Sequence, residues 1–290
     1  MNEGVSRIRM GLPKGRMQEG VLDLLRQAGI PVRIDPRGYR PSVGWDRAEA
    51  KMLKPQNIVE MLGAGSRDVG FAGADWVAEL DVPLVDLLDT GLDPVRLVAA
   101  APTALLAGGA LPRDRELVVA SEYERLARRW IDTAGIRARF VRSYGATEAF
   151  PPEDADCIVD NTATGSTLQA NGLVVLDELM RSSTHLYASP QAMKDPGRRR
   201  VIEDLVLLLQ SVLEARRRVL LELNVPADRL EAVVALLPAM REPTVSPLHG
   251  GNGYAVKVAV RREELPGLIP RVKAAGGTDL LVTAPSQIVA

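Results

Sequence analysis

Three observations predict an α/β protein that ends in a small separate domain. Short β-like runs alternate with helical ones along most of the chain, the order that lays helices on both faces of a sheet. A long apolar helical stretch over 201–213 then breaks that alternation. After it, a β-α-β-β-α-β order fits into roughly 70 residues, which is the ferredoxin-like arrangement. At 290 residues the chain suits two or three units, because domains commonly hold roughly 100 to 200 residues.

The elements follow in order. Ile8, Met10 and Leu12 alternate with Arg9 and Gly11 as a strand does, and Pro13-Lys14-Gly15-Arg16 breaks the pattern. Val21, Leu24, Leu25 and Ala28 then recur at helical spacing until Gly29 closes the helix. Strands are predicted over 68–71, 96–100, 117–120, 138–142 and 157–160, with a helix over 123–134. Within 201–213, Ile202, Leu205, Leu208, Leu209, Val212 and Leu213 form a face that needs a core to pack on, and the segment reads as a hinge-side helix returning to the first part of the chain. The tail reads as a strand over 219–223, a helix over 228–237 with Leu230, Val233, Val234 and Leu237 on one face, and a strand over 244–248. An alternating strand through Tyr254, Val256, Val258 and Val260, a helix with Leu265, Leu268, Ile269 and Val272, and a strand over 280–282 complete it. Gly250-Gly251-Asn252-Gly253 is a turn between two of these strands rather than a nucleotide loop.

Composition narrows the function. A formal net charge of -1 gives no electrostatic reason to expect nucleic acid. The basic clusters 198–200 and 216–218 flank an apolar helix and read as solvated helix ends. Cys157 is the single cysteine, so no intramolecular disulfide forms, and its place in an apolar run reads as buried filler. Residues 1–9 carry no apolar leader core and no stretch reaches the ~18 apolar residues of a membrane span, so a cytoplasmic protein is expected. His185 reads as lying in a strand and His249 beside a glycine turn; the two share no ligand spacing, and no metal centre is expected.

The segment that carries chemistry is Asp160-Asn161-Thr162-Ala163-Thr164-Gly165-Ser166-Thr167, between a strand and a helix start. Gly165 lets backbone approach a phosphate, amides at the helix start and the hydroxyls of Thr164, Ser166 and Thr167 suit its oxygens, and Asp160 suits ribose hydroxyls or a magnesium ion. A Ser/Thr-rich turn that merely starts a helix has the same local pattern. The arrangement resembles the phosphoribosyl pyrophosphate (PRPP) loop of phosphoribosyltransferases. No Walker A sequence and no G-x-G-x-x-G after a strand is present.

Further segments agree in order. Leu12-Pro13-Lys14-Gly15-Arg16, Asp68-Val69-Gly70-Phe71-Ala72-Gly73-Ala74-Asp75, the loop itself running on to Asn171-Gly172-Leu173, and in the tail Pro243-Thr244-Val245-Ser246-Pro247-Leu248 together resemble the long form of ATP phosphoribosyltransferase. The resemblance implies a two-lobed catalytic unit like a periplasmic binding protein, with lobe I over 1–98 and 185–215, lobe II over 99–184, and a regulatory domain over 216–290. It implies attack of ATP N1 on the anomeric carbon of PRPP, with magnesium accompanying the pyrophosphate. It also implies feedback inhibition by histidine and a homo-hexamer.

By the same resemblance, Lys14, Arg16 and Glu148 are catalytic, residues 160–167 bind PRPP, and Lys14, Arg16, Lys54 and Asp75 serve ATP. Lys14 and Arg16 also leave the carboxyl end of the first strand, where α/β sheets place ligands. Asn224, Thr244 and Ser246 are the expected contacts to histidine. The chain departs from the family pattern at Lys54, where arginine is usual, at Pro151-Pro152 after Glu148, and at Glu124, where proline commonly follows the tyrosine. Two other readings are a two-lobed small-ligand binder and a paralogue with altered nucleotide use or lost turnover.

Overall fold

The structure, a computed structural model, describes residues 7–35, 38–106, 108–238, 240 and 242–289. Most of the stretch read as lacking a leader, residues 1–6, lies outside them. The chain divides into two compact units. One holds the described residues up to Arg26 together with Ile30–Asp204, and the other holds Gln27–Gly29 and the residues from Leu205 onward.

The first unit runs β1 (Ile8–Pro13), α1 (Met17–Gln27), β2 (Val32–Arg33), β3 (Ser42–Val43), β4 (Ala48–Leu53), α2 (Pro55–Gly63), β5 (Val69–Gly73), α3 (Ala74–Leu80) and β6 (Val85–Pro102). It continues through β7 (Leu117–Ser121), α4 (Glu124–Ala134), β8 (Ala138–Arg142), β9 (Cys157–Thr162), α5 (Ser166–Ala170), β10 (Leu173–Ala188), α6 (Pro190–Lys194) and the start of α7 (Pro196–Arg217). One eight-stranded sheet, in the order β4-β1-β5-β10-β6-β9-β7-β8, runs through both lobes. The lobe boundaries expected at 98/99 and 184/185 therefore fall inside two strands that the lobes share, β6 and β10.

Register explains why this sheet makes a cleft. β4, β1 and β5 are parallel, as are β9, β7 and β8, and the long antiparallel pair β6 and β10 joins the two sets. Gly73, at the carboxyl end of β5, pairs with Thr184, and Thr184 pairs with Leu92 of β6. Thr162, at the carboxyl end of β9, pairs with Arg96 of β6. The two sets run in opposite directions, yet their carboxyl ends meet within a few residues along β6. Both lobes thus aim the ligand-binding ends of their strands at one place.

Side chains alternate across the sheet. Leu97, Ala99, Val119, Cys157 and Val159 pack with Leu126, Ala127, Trp130 and Ile131 of α4, whereas Val98, Ala100, Ala120 and Ile158 pack with Leu168 and Leu173. Each large side chain so buried contributes about 1.5–3 kcal/mol. Helix α4 stops at Gly135, whose φ of 62° suits the left-handed turn that follows.

The second unit continues α7 and adds β11 (Arg218–Pro226), α8 (Leu230–Val234), β12 (Thr244–Pro247), β13 (Gly253–Arg261), α9 (Leu265–Ala274) and β14 (Thr278–Thr283). Its strand order β12-β13-β11-β14 with every pair antiparallel is the ferredoxin-like sheet. Val219, Leu221, Leu223 and Val225 of β11 pack with Val256, Val258 and Val260 of β13 and with Val233, Leu268 and Val272 from the helices. Alternate residues of β11 and β13 lie on the opposite, open face.

Most of the expected elements lie within a residue or two of their places. The exceptions have physical reasons. β10 is sixteen residues long and the sequence marks only His185 as strand, because register shifts at 175–177, 178–180 and 182–184 break the period-2 alternation. β6 extends from 85, well before the apolar run at 96–100, since its first half is a polar, half-exposed ribbon paired to β10. The helix expected over 228–237 is helical only over Leu230–Val234, after a 3-10 turn at Ala227–Arg229.

Candidate active site

β9 ends in Asp160, Asn161 and Thr162, and the chain then turns through Ala163, Thr164 and Gly165 into α5. Gly165 takes φ 84°, and a Cβ there would meet nothing within 4 Å, so glycine is required by backbone conformation rather than by space. Thr162 is buried, and its Oγ1 accepts from the Gly165 amide at 2.9 Å, which closes the loop on itself. At the far side, the Asn171 side-chain amide donates to the Thr167 carbonyl at 2.9 Å. The Thr164 and Ser166 hydroxyls lie 2.9 Å apart at the surface, while Ala163 and Thr167 are exposed beside them.

This loop walls a cavity of about 310 Å³. Asp160, Asn161, Thr162, Ala163, Thr164, Ser166, Thr167 and Leu168 line it, joined by Glu148 and by Arg16. Three segments far apart in sequence therefore converge: the turn after β1, the 3-10 turn Thr147–Ala149 and the loop after β9. Thr147 is buried, and its Oγ1 lies 2.7 Å from the Ser143 hydroxyl, which anchors the turn that presents Glu148.

Asp160 is electrostatically the most informative group. Burial, aided by the negative charges of Glu148 and Glu122, pushes its carboxyl up to about 7 against the opposing pull of the Asn161 amide and the more distant Arg16. Its Oδ1 accepts from the Asn161 amide at 2.7 Å. A cavity lined by two acidic side chains, an arginine and several hydroxyls suits a ligand that carries both sugar hydroxyls and phosphate oxygens.

The other expected residues fall into two groups. Lys14 and Lys54 do not line the cavity, but they are neighbours: Pro13 pairs with Leu53 at the ends of β1 and β4, and the Lys14 amide donates to the Leu53 carbonyl at 2.8 Å. Lys14 Nζ sits 3.7 Å from the centroid of the exposed Tyr39 ring, and Lys54 is exposed at the start of α2. The two lysines thus stand side by side at the carboxyl ends of β1 and β4. Asp75 lies elsewhere: it is 3% exposed, Oδ1 accepts from the Ser182 hydroxyl at 2.8 Å, and Oδ2 accepts from the Tyr123 hydroxyl at 2.6 Å. With both oxygens engaged inside the protein, it has no face toward a nucleotide.

In the second unit the three expected contacts do not form one cluster. Asn224 and Ser246 both pair with Ala255, from opposite sides, and so stand two strands apart on the open face, roughly 9–10 Å at the usual strand spacing. Asn224 donates to Asp279 Oδ2 at 3.0 Å. Thr244 lines a separate cavity of about 410 Å³ with Leu220, Lys257 and Ala259.

Cys157 is fully buried, with burial pushing its thiol up to about 12. His185 lies on β10 with Nδ1 3.0 Å from Asp86. Among the described residues no group of three His, Cys, Asp or Glu is placed to hold a metal ion. Sequence reasoning missed Tyr123, Ser182 and Glu79, although Tyr123 stood inside a segment it singled out.

The ATP phosphoribosyltransferase family model matches residues 54–211, and the model for that family's C-terminal domain matches 215–285. An ATP phosphoribosyltransferase from Pelotomaculum thermopropionicum is 36% identical over 290 residues, covering 98% of this chain and 99% of the relative. One from Chlorobium luteolum is 36% identical over 277 residues, 93% of each. Among solved structures, a chain of the ATP phosphoribosyl transferase (HisG:HisZ) complex from Thermotoga maritima superposes with a TM-score of 0.63 at 27% identity, covering 71% of this chain and 98% of that one.

Proposed function

The chain belongs to the ATP phosphoribosyltransferase family, and from that premise we propose that the cavity under the β9–α5 loop is where it holds PRPP. The enzyme condenses ATP with PRPP to N1-(5-phosphoribosyl)-ATP and pyrophosphate, the first step of histidine biosynthesis. The observation that carries the site assignment is the convergence of Arg16, Glu148 and residues 160–167 on one cavity at the carboxyl ends of both strand sets.

In this reading the hydroxyls and exposed backbone of 163–167 take the 5-phosphate, while Asp160 and Glu148 accept from the ribose hydroxyls. Arg16, opposite them, faces the pyrophosphate. As the bond from the anomeric carbon to pyrophosphate breaks and the bond to ATP N1 forms, positive charge grows on the ribosyl ring. Two carboxylates fixed beside that ring stabilise the charge without any proton transfer. The reaction needs little acid–base machinery because pyrophosphate leaves readily, and most of the work is holding two anionic substrates in line. Lys14 and Lys54 offset the charge of ATP from lobe I, Lys54 as a point charge where arginine would offer a fork.

Magnesium enters bound to substrate. Asp160 and Glu148 offer hard oxygen donors, fewer than a dedicated cage requires, which fits an ion that keeps water and phosphate oxygens around it. Asn224, Thr244 and Ser246 stand too far apart on their sheet face to hold one histidine together, so in the feedback reading histidine would touch only part of that set and inhibit by favouring a less active arrangement of a hexamer. We place the enzyme in the cytoplasm, consistent with a biosynthetic role and a lone buried cysteine.

The test is direct. Thr167→Ala should weaken PRPP binding far more than ATP binding, measured by titration of each substrate with magnesium present. Equal weakening of both counts against the loop assignment.

A further inference from the structure

Tyr123 is completely buried at the junction of the lobes, and its ring stacks on Trp76 with centroids 4.5 Å apart. Packing alone does not require its hydroxyl, because phenylalanine would fill the same space. Burying a hydroxyl is unfavourable unless it is paired, and here both of its capacities are used. It donates to Asp75 Oδ2 at 2.6 Å and accepts from Asn161 Nδ2 at 2.9 Å. Burial and the adjacent carboxylate of Asp75 push the phenol far above its ordinary range, so it remains a donor toward Asp75.

The chain of contacts extends from both ends. Asp75 is held by Ser182 of β10, whose hydroxyl donates to Oδ1 at 2.8 Å and whose oxygen accepts from the Asp75 amide at 3.0 Å. At the other end the backbone N–H of Asn161 donates to Asp160 Oδ1 at 2.7 Å. The base of the chain is firm. Glu79 of α3 accepts from the amides of Arg125 and Leu126, both at 3.0 Å, which caps α4 from the other lobe. The Tyr123 amide donates to Ser121 Oγ at 2.9 Å, and that hydroxyl donates to the Val159 carbonyl at 2.6 Å.

We propose that Tyr123 is a positioning residue for the transfer reaction: its hydroxyl, fixed by Asp75 of lobe I, sets the conformation of the strand end bearing Asp160 and Asn161, and so orients the PRPP cradle of lobe II. This rests on the PRPP reading of that loop. Asp75 then serves catalysis through Tyr123 rather than by touching ATP. Lobe I controls the loop through a buried contact, in addition to contributing Arg16 to the lining of the cavity.

Steady-state kinetics on the full chain tests it, with KM for each substrate, kcat and the melting temperature measured for Tyr123→Phe, Asn161→Ala, the double variant, Ser182→Ala and Thr167→Ala. Tyr123→Phe keeps the ring and its packing, and should raise KM for PRPP about tenfold while KM for ATP changes less than about twofold, because a small misplacement of positioning groups is costly only for the ligand they hold. The double variant should be no worse for PRPP than Asn161→Ala alone, since both act through one contact. Should Tyr123→Phe fail to fold, Ser182→Ala must raise KM for PRPP selectively by about threefold, the loss of one hydrogen bond in the same chain. A Tyr123→Phe enzyme with a lower melting temperature and unchanged KM values, or one impaired toward ATP, overturns the proposal. If Thr167→Ala is selective for PRPP and Tyr123→Phe is silent, only the Tyr123 role falls. If neither affects PRPP, the loop reading itself falls.

Discussion

Asp160→Asn is the substitution whose consequences the site electrostatics define most fully. The wild-type carboxyl titrates near 7, so its ionised fraction falls from roughly nine-tenths at pH 8 to roughly one-tenth at pH 6. If the carboxylate accepts from ribose hydroxyls, PRPP affinity should fall up to about tenfold over that interval beyond the change seen in the variant. The ligand's own phosphate also titrates near pH 6, but that contribution is common to both proteins and cancels in the ratio. Calorimetry in buffers of different ionisation enthalpy gives a second reading, because binding that favours the ionised form should release about half a proton at pH 7.

The stability of the free protein should move in the opposite sense. A folded-state value raised from 3.8 to about 7 means that between those limits the folded chain holds a proton the unfolded chain has lost. Stability therefore falls as pH rises through the window and levels off above it, by roughly 2–4 kcal/mol in all. Asp160→Asn should abolish that slope and be the more stable protein at pH 8. A variant whose PRPP affinity follows the wild-type pH profile, or proton uptake on binding, would refute the reasoning.

Other perturbations are equally definite. Gly165→Ala forces a side chain into a φ of 84°, so it should strain the loop by about 1–2 kcal/mol, weaken PRPP in titrations and lower the melting temperature by about 2–6 °C. Asp68 is 1% exposed between Arg9 and Arg198, at 2.8 and 3.0 Å, and although burial opposes it, those guanidinium groups and the Arg9 amide hold its carboxyl below the usual range. That depressed value stabilises the fold above the ordinary carboxylate range and is lost as pH falls through it, so Asp68→Asn should cost about 2–4 kcal/mol at pH 7 in chemical denaturation and much less in acid. Glu79→Ala removes the cap on α4 and should cost about 1–2 kcal/mol by the same measurement, with KM values little affected if capping is its whole role.

The sequence by itself determined a good deal. Periodicity at Ile8, Met10 and Leu12, then at Val21, Leu24 and Leu25, marked a strand and a helix, because residues that must face a core recur at the pitch of the element carrying them. The ferredoxin-like tail was legible for the same reason: Val256, Val258 and Val260 are buried as their alternation demands. The turn at 160–167 was legible as a strand end leading into a helix, because a glycine and short hydroxyl residues in that order mark such a backbone conformation.

Tertiary structure alone decided the rest. Beyond His185, little local marks β10 as a strand, since its bulges destroy the alternation, and its identity is fixed by pairing with β6 and β5. Asp75 reads in the sequence as an acidic residue after a glycine-rich strand, equally fit for a nucleotide or for a helix start. Its partners, Ser182 and Tyr123, lie 107 and 48 residues away, and only folding brings them to it. The raised titration of Asp160 likewise depends on burial and on Glu148 and Glu122, which reach it across separate turns. A side chain's type is written in the chain, but its solvation and its partners are properties of the packed interior, and those set what it does.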